Sequence, residues 1–530
     1  MTDNPAAAVG ASGTTFATRR EFMIVLPGLL LTLIIAMLDQ LVVSTALPRI
    51  VGDLGGLNHL AWVVTAYVLA STITTPLYGK LGDLYGRKRL LMIAIIIFLV
   101  GSALSGLSHT MDQLIAFRAL QGLGAGGLMV GAIATIGDMV SPRERGQYMG
   151  YMMAAMMLAM IAGPLVGGYI TDTLSWRWIF YINMPIGGAA LVYLWATMHL
   201  PRRRVEHRVD YLGAAVIAIG ATAIVLLTTW GGTQYAWGSW EILLLAAITA
   251  ASIGAFFLVE GRAVEPVLPL HVFKNRNFSL ASGMSFLLGF VMLGALTFLP
   301  LYQQTVQHAS PTTSGLMLIP LMLGSTVTTL VAGQITTKTG RYKVLPVIGG
   351  VIMTIAIYLL THLGPHTTRL TSALYFVVLG VGMGFLMQIT SLIVQNSVEQ
   401  KDMGVASSSR AFFQQIGGSM GVSLFGVIFI HRLASTMASQ VPGARVHAGL
   451  GSLDPATINN LPAVIKEAAF VGVSKGLDAV FWWTIPASAL VFLLALWVKE
   501  IPLRGRNDGP VPQPAAPLEP LEAAADLGAI

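Results

Sequence analysis

Apolar positions in this chain come in long, nearly uncharged runs of about 20 residues, the length a helix needs to cross the hydrocarbon of a bilayer. Short polar turns separate the runs. A backbone in hydrocarbon must satisfy its own hydrogen bonds, so each run is expected to be a helix. The pattern places spans at roughly 23–47, 60–79, 90–107, 112–137, 147–170, 178–199, 211–231, 240–260, 279–304, 312–335, 343–362, 371–396, 404–432 and 477–499.

One charged turn occurs twice. Gly79-Lys80-Leu81-Gly82-Asp83-Leu84-Tyr85-Gly86-Arg87-Lys88-Arg89 sits between the second and third runs, and a weaker copy, Gly333 to Lys343, sits between the tenth and eleventh. Two such turns imply two related halves. The expected organisation is a disordered stretch at 1–21 and a first six-helix bundle at 22–199. A linker with two extra spans at 200–278 and a second six-helix bundle at 279–500 follow. The second bundle would carry an outer loop at 433–476, with a surface helix around 461–471. A disordered Pro/Ala-rich tail occupies 501–530.

Composition fits that reading: 55% of the 530 residues are hydrophobic and 10% charged, against roughly a quarter charged in soluble proteins. The chain has no cysteine, which excludes disulfides and thiolate metal sites. A net charge of +7 invites a nucleic-acid partner, but the basic residues gather in alternate turns, on the side of the amino terminus. That positive-inside bias explains the charge without a nucleic acid, and it puts both termini in the cytoplasm of a multi-pass protein of the cytoplasmic membrane. Arg19-Arg20 before the first run resembles a twin-arginine export signal, with Ser44-Thr45-Ala46 as a conceivable cleavage site. The many later spans favour a retained first helix.

Two charges fall inside apolar runs at matching depth. Asp39 lies about 12 Å of helix rise below the far end of the first span, and Arg118 about 9 Å below the same surface in the fourth. A charge in a membrane span costs on the order of 2.5–3.5 kcal/mol on insertion scales, so both are expected to face the bundle interior. Burial favours the neutral carboxyl and a nearby cation favours the carboxylate, a balance suited to proton exchange. The competing reading is an acid and an arginine that only staple helices together.

The Gly79–Arg89 turn resembles the loop between helices 2 and 3 of the major facilitator superfamily, G-x-L-x-D-x-x-G-R-(R/K). Leu114 to Gly122 resembles its helix-4 motif. Gly163-Pro164-Leu165-Val166-Gly167-Gly168 resembles its antiporter motif, with Ala159 where the pattern begins with glycine. Trp176 to Gly187, Glu265 to Leu270, Ser310-Pro311 with Gly315, and Arg410 to Gly418 are similar to the fourteen-helix drug–proton antiporters.

The resemblance implies an all-α fold of two six-helix bundles plus two linker helices. It also implies export of hydrophobic or amphiphilic compounds in exchange for protons, with the proton gradient as energy source and no cofactor. Asp39 would take the proton and Arg118 would tune it. Asp83, with Gly79, Gly86, Arg87 and Lys88, would latch the two halves at the start of a helix near Lys401-Asp402-Met403-Gly404. Gly163, Pro164, Gly167 and Gly168 would form the antiporter kink.

Met149, Met152, Met153, Met156, Met157 and Met160 share one helical face. Methionine adapts to many shapes, so Met149, Met153, Met156 and Met160, with Gln121, Gln414 and Gln415, are assigned to a substrate cavity. A core or lipid-facing stripe is the plainer alternative. Gly122 to Gly127 matches G-x-G-x-x-G, but mid-span, with no preceding strand, so glycine-mediated helix packing is expected instead of phosphate binding. Gly472 to Gly476 matches G-x-S-x-G without its strand–turn–helix setting. His362 and His366 lack a third ligand, so no metal is assigned. The alternatives to drug export are export of a lipid or endogenous metabolite, or a non-transporting membrane scaffold; an enzyme is not expected.

Overall fold

The computed structural model describes residues 19–56, 59–139, 145–198, 210–231, 234–263, 270–364, 366–398, 403–440 and 463–501. Among these residues the structure is helix and turn, with one isolated bridge between Gly231 and Tyr235. The first half comprises α1 (Arg19–Leu54), α2 (Leu60–Tyr85), α3 (Arg87–Gly106), α4 (Met111–Met139), α5 (Arg145–Thr173), the single turn α6 (Trp178–Tyr181) and α7 (Asn183–Thr197). The linker supplies α8 (Tyr211–Trp230) and α9 (Trp240–Glu260). The second half comprises α10 (Arg276–Thr305), α11 (Pro311–Thr339), α12 (Val344–Leu360), α13 (Arg369–Asn396), α14 (Met403–Gln440) and α15 (Ala463–Trp497).

Eleven described segments are long and apolar enough to cross a membrane, counting α6 and α7 as one, and α2 and α12 contain shorter apolar stretches. With α5 they make the fourteen crossings that the apolar runs predict. Alternate crossings bring both ends of the helical chain to one face, called here the terminal face.

Three boundaries differ from expectation. α1 continues through Pro48 to Leu54, so Asp39 sits about 22 Å below that end of the helix. α14 runs to Gln440, and α15 begins at Ala463 as one helix of 35 residues. The segment 433–476 is therefore not one long loop, and the surface helix expected around 461–471 is the first part of α15. Only 441–462 of that loop lies outside the described residues. Polar residues end the apolar run there, but the helices continue because they pack on each other. A Cβ on Gly472 would meet Leu433 at 2.7 Å, and one on Gly476 would meet Phe429 at 2.8 Å.

Close helix packing relies on small residues, as expected where the surrounding lipid is as apolar as the core. α4 lies between α2 and α3: a Cβ on Gly122 would stand 2.4 Å from Tyr67 O, and one on Gly124 would stand 2.4 Å from Phe98 N. The G-x-G-x-x-G run is thus helix-packing surface. The second half repeats the device, with Gly289 against Gln414 O and Gly417 against Phe286 O where α10 meets α14.

α8 crosses the seam between the halves. Leu69 of α2, Ala221 and Val225 of α8, and Ile416 and Met420 of α14 form one apolar cluster, and Trp62 lies 6.5 Å from Trp230 ring to ring. α9 lies outside α8 and exposes Trp240, Leu243, Leu244, Ile253, Phe257 and Leu258, as a lipid-facing helix does.

Candidate functional site

The most polar point in the first half is also among its most buried. Asp39 is 0% exposed and Arg118 is 1% exposed. Arg118 Nη1 donates to Asp39 Oδ2 at 2.7 Å and to Gln121 Oε1 at 2.7 Å. Gln121 Nε2 and Asn183 Nδ2 each donate to Asp39 Oδ1 at 2.8 Å. The Arg118 guanidinium lies over the Tyr67 ring, 4.0 Å from its centroid, and Arg118 Nε donates to Val63 O at 3.4 Å.

Local structure explains the convergence. Arg118 and Gln121 are three apart on α4 and share a face. Asn183 is the first residue of α7, where the sixth crossing breaks at Ile182. Its amide nitrogen also donates to Ser102 Oγ at 3.0 Å, and Ser102 Oγ donates to Phe180 O at 2.9 Å. Asn183 Oδ1 is buried without a partner.

A buried ion pair is tolerable only with good geometry and satisfied remaining groups, and these amides supply that. Gln121 belongs to this cluster and not to a cavity wall, since it is fully buried. Ser102 and Tyr67 carry no signal in the sequence, and Asn183 stands there only as part of the Trp176–Gly187 resemblance, with no role assigned. Asn183 alone carried a signal, an amide inside an apolar run.

The halves meet along a seam on the side away from the terminal face. Gln304 Nε2 donates to Thr45 O at 2.8 Å, and Thr312 N donates to Asp172 Oδ2 at 2.9 Å. Thr65 and Ser423 hydroxyls lie 3.2 Å apart. Deepest is Thr72 Oγ1, which donates to Gln415 Oε1 at 2.8 Å, about 18 Å from the start of either helix. α5 is unbroken through Pro164. A Cβ on Gly163 would stand 2.6 Å from Leu41 of α1, and one on Gly167 would stand 2.7 Å from Val42 O. One on Gly168 would stand 2.4 Å from Pro311 O of α11, and one on Gly315 would stand 2.1 Å from Pro164 O. These four motif residues therefore let α5 lie tightly on helices of both halves.

The Major Facilitator Superfamily model matches residues 29–422. The chain belongs to that superfamily. An uncharacterized MFS-type transporter of Mycobacterium tuberculosis is 39% identical over 94% of this chain and 73% of its own length. The multidrug transporter protein MdtP of Bacillus subtilis is 36% identical over 79% of this chain and 77% of its own length. Among solved structures, an inward-facing bacterial homolog of the human lysosomal transporter Spinster superposes with a TM-score of 0.67 at 15% identity. That match covers 91% of this chain and 98% of the other, and shows a shared fold.

The superfamily's turn after helix 2 is tighter here than the sequence suggests. Gly86, at φ 94°, is the only residue between α2 and α3; that left-handed φ favours glycine. Arg87 Nη1 donates to Gly79 O at 2.9 Å, and Lys88 Nζ donates to Trp195 O at 2.7 Å in the last turn of α7, a favourable place for a cation. The side chain of Asp83 and residues 399–402 lie outside the described residues, and so does the latch expected between them. Met149, Met153 and Met157 side chains lie outside them too. Met152 is buried in the core and Met160 packs against it, while Met156 is half-buried. At Met152 and Met160 the stripe is thus core packing. Gln414 accepts from Arg410 Nη1 at 3.0 Å.

Proposed function

We propose that this superfamily transporter is a proton-coupled antiporter that exports hydrophobic or amphiphilic compounds across the cytoplasmic membrane. The observation that carries it is the Asp39–Arg118 pair, at 2.7 Å and out of contact with water. Protonating Asp39 removes the counter-charge from a guanidinium that the folded protein has desolvated. Breaking one partner of a buried pair costs about 3–5 kcal/mol. That cost favours a rearrangement of α1 against α4 which lets water or cargo reach Arg118. Loss of the proton restores the pair and closes the site.

A ligand shifts such an equilibrium only by its differential affinity for the two states. Coupling therefore requires the proton and the cargo to favour different arrangements of this one cluster. Gln121 and Asn183 hold the carboxylate in place between cycles. With the terminal face cytoplasmic, the seam contacts lie toward the outside, and the described cross-half hydrogen bonds fit a state that loads cargo from the cytoplasm. Inward proton flow supplies about 2.3 kcal/mol per 100 mV, plus the pH gradient. The names of relatives such as MdtP support a multidrug cargo.

The test is accumulation of a chemically broad compound panel in efflux-deficient cells expressing the chain, with and without an uncoupler. Lower accumulation of several unrelated compounds that the uncoupler abolishes is expected. Efflux that persists unchanged with the uncoupler would reject proton coupling.

A further inference from the structure

The first turn of α11 is capped by both halves of the protein. Pro311 opens the helix and has no N–H to satisfy. Thr313 N donates to Ser310 Oγ, the N-cap side chain, at 3.2 Å, and Ser314 N donates to Ser310 O at 2.8 Å. That leaves Thr312 N, and its acceptor is Asp172 Oδ2 at 2.9 Å, in the last turn of α5 in the first half. A helix start carries partial positive charge, so it favours a carboxylate.

Spacing along α5 aims the acid there. Pro164, Gly168 and Asp172 stand at i, i+4 and i+8 and share one face of the helix. The first two already lie on α11: Gly168 takes Pro311 O where a Cβ would collide, and Gly315 takes Pro164 O in the same way. These backbone contacts set how closely the helices approach, whatever the charge. Of the four hydrogen bonds described across the seam away from the terminal face, only that of Asp172 involves a charged group. Asp172 stands on the exposed rim of the seam. Water competes there, so the contact biases an equilibrium by a small factor and does not lock it.

We propose that Asp172 is an outer latch. By completing the cap of α11, the first half holds the second and shifts the protein toward the arrangement closed on the side away from the terminal face. When the halves part there, the Thr312 N–H exchanges its carboxylate for water, and no charge faces the helix start. A modest bias suits a transporter, whose two arrangements must stay within reach of one another. The proposal rests on the reading that the halves part along this seam during transport, and not on proton coupling or on the cargo.

Opening is measured on the full-length protein in phosphatidylcholine nanodiscs, with no gradient and no cargo. The chain has no native cysteine, so Ser423→Cys, buried against Thr65 on the α2–α14 side of the seam, serves as the reporter. Its rate of reaction with a maleimide follows the fraction of open molecules. In that background Asp172→Asn keeps the shape and an acceptor but removes the charge, and labelling is expected to be about two- to fivefold faster. Asp172→Lys places a cation at the helix start and should label faster still. Raising the salt should narrow the gap between the parent and Asp172→Asn. Thr173→Ala alters the neighbouring residue, whose hydroxyl bonds back to Tyr169 O, and should label at the parent rate. Parent-rate labelling in both Asp172→Asn and Asp172→Lys would overturn the proposal. So would an equal acceleration in Thr173→Ala, which would mark a general loosening of the α5 end. Asp172→Asn, isosteric and at an exposed position, decides the matter even where the lysine variant fails to fold. Because no gradient or cargo is used, failure of uncoupler-sensitive efflux leaves this result standing, and the reverse also holds.

Discussion

Asn183, the first residue of α7, donates a 2.8 Å hydrogen bond to the carboxylate of Asp39 on α1. Its amide group is fully committed on the donor side, with one N–H to Asp39 and the other to Ser102, while its carbonyl oxygen has no donor. The other groups facing Asp39 are Arg118 and Gln121, with Tyr67 stacked on the guanidinium.

Replacing Asn183 with leucine removes a donor to the buried carboxylate and the hydrogen bond to Ser102. The variant is expected to lose about 1.5–3 kcal/mol of stability, the worth of a hydrogen bond to a charge, read as a lower melting temperature in detergent. A melting temperature at the parent level would show that these hydrogen bonds do not hold the cluster together.

Asp39→Asn keeps the shape of the acid but cannot cycle a proton, and its amide nitrogen gives up the acceptor role of one carboxylate oxygen. Uphill export should disappear, while substrate binding in detergent should survive. The measurement is substrate concentration across a vesicle membrane with an imposed pH gradient. Accumulation at the parent level would reject Asp39 as the coupling group.

Gly315 and Gly188 separate tight packing from open space. A Cβ on Gly315 would stand 2.1 Å from Pro164 O, whereas one on Gly188 meets nothing within 4 Å. Gly315→Val should destabilise by about 1–3 kcal/mol through overpacking and lower the melting temperature in detergent. Gly188→Ala should be neutral or raise it, since alanine is favoured over glycine in a helix by about 0.5–1 kcal/mol.

Thr65 of α2 and Ser423 of α14 lie 3.2 Å apart, hydroxyl to hydroxyl, across the seam, in a chain without native cysteine. Thr65→Cys with Ser423→Cys should crosslink under mild oxidant and stop transport, and a reductant should restore it. A crosslinked protein that transports at the parent rate would show that this seam does not open in the cycle.

The sequence by itself determined the crossings, the two related halves and the placing of Asp39 and Arg118 inside apolar runs, because these are one-dimensional properties. A run either is or is not long and apolar enough for lipid, whereas depth depends on where a helix ends, and Asp39 lies deeper than its apolar run implies. It misjudged the ends of α1, α14 and α15, where helices outrun the apolar window because neighbours support them.

Tertiary structure alone decided which faces meet. It drew Gln121, Asn183 and Ser102 around Asp39, set Met152 and Met160 into the core, and laid α8 across both halves. Those choices depend on helix rotation, and rotation is fixed by how closely backbones pack, at contacts such as Gly122 on Tyr67 O and Gly315 on Pro164 O.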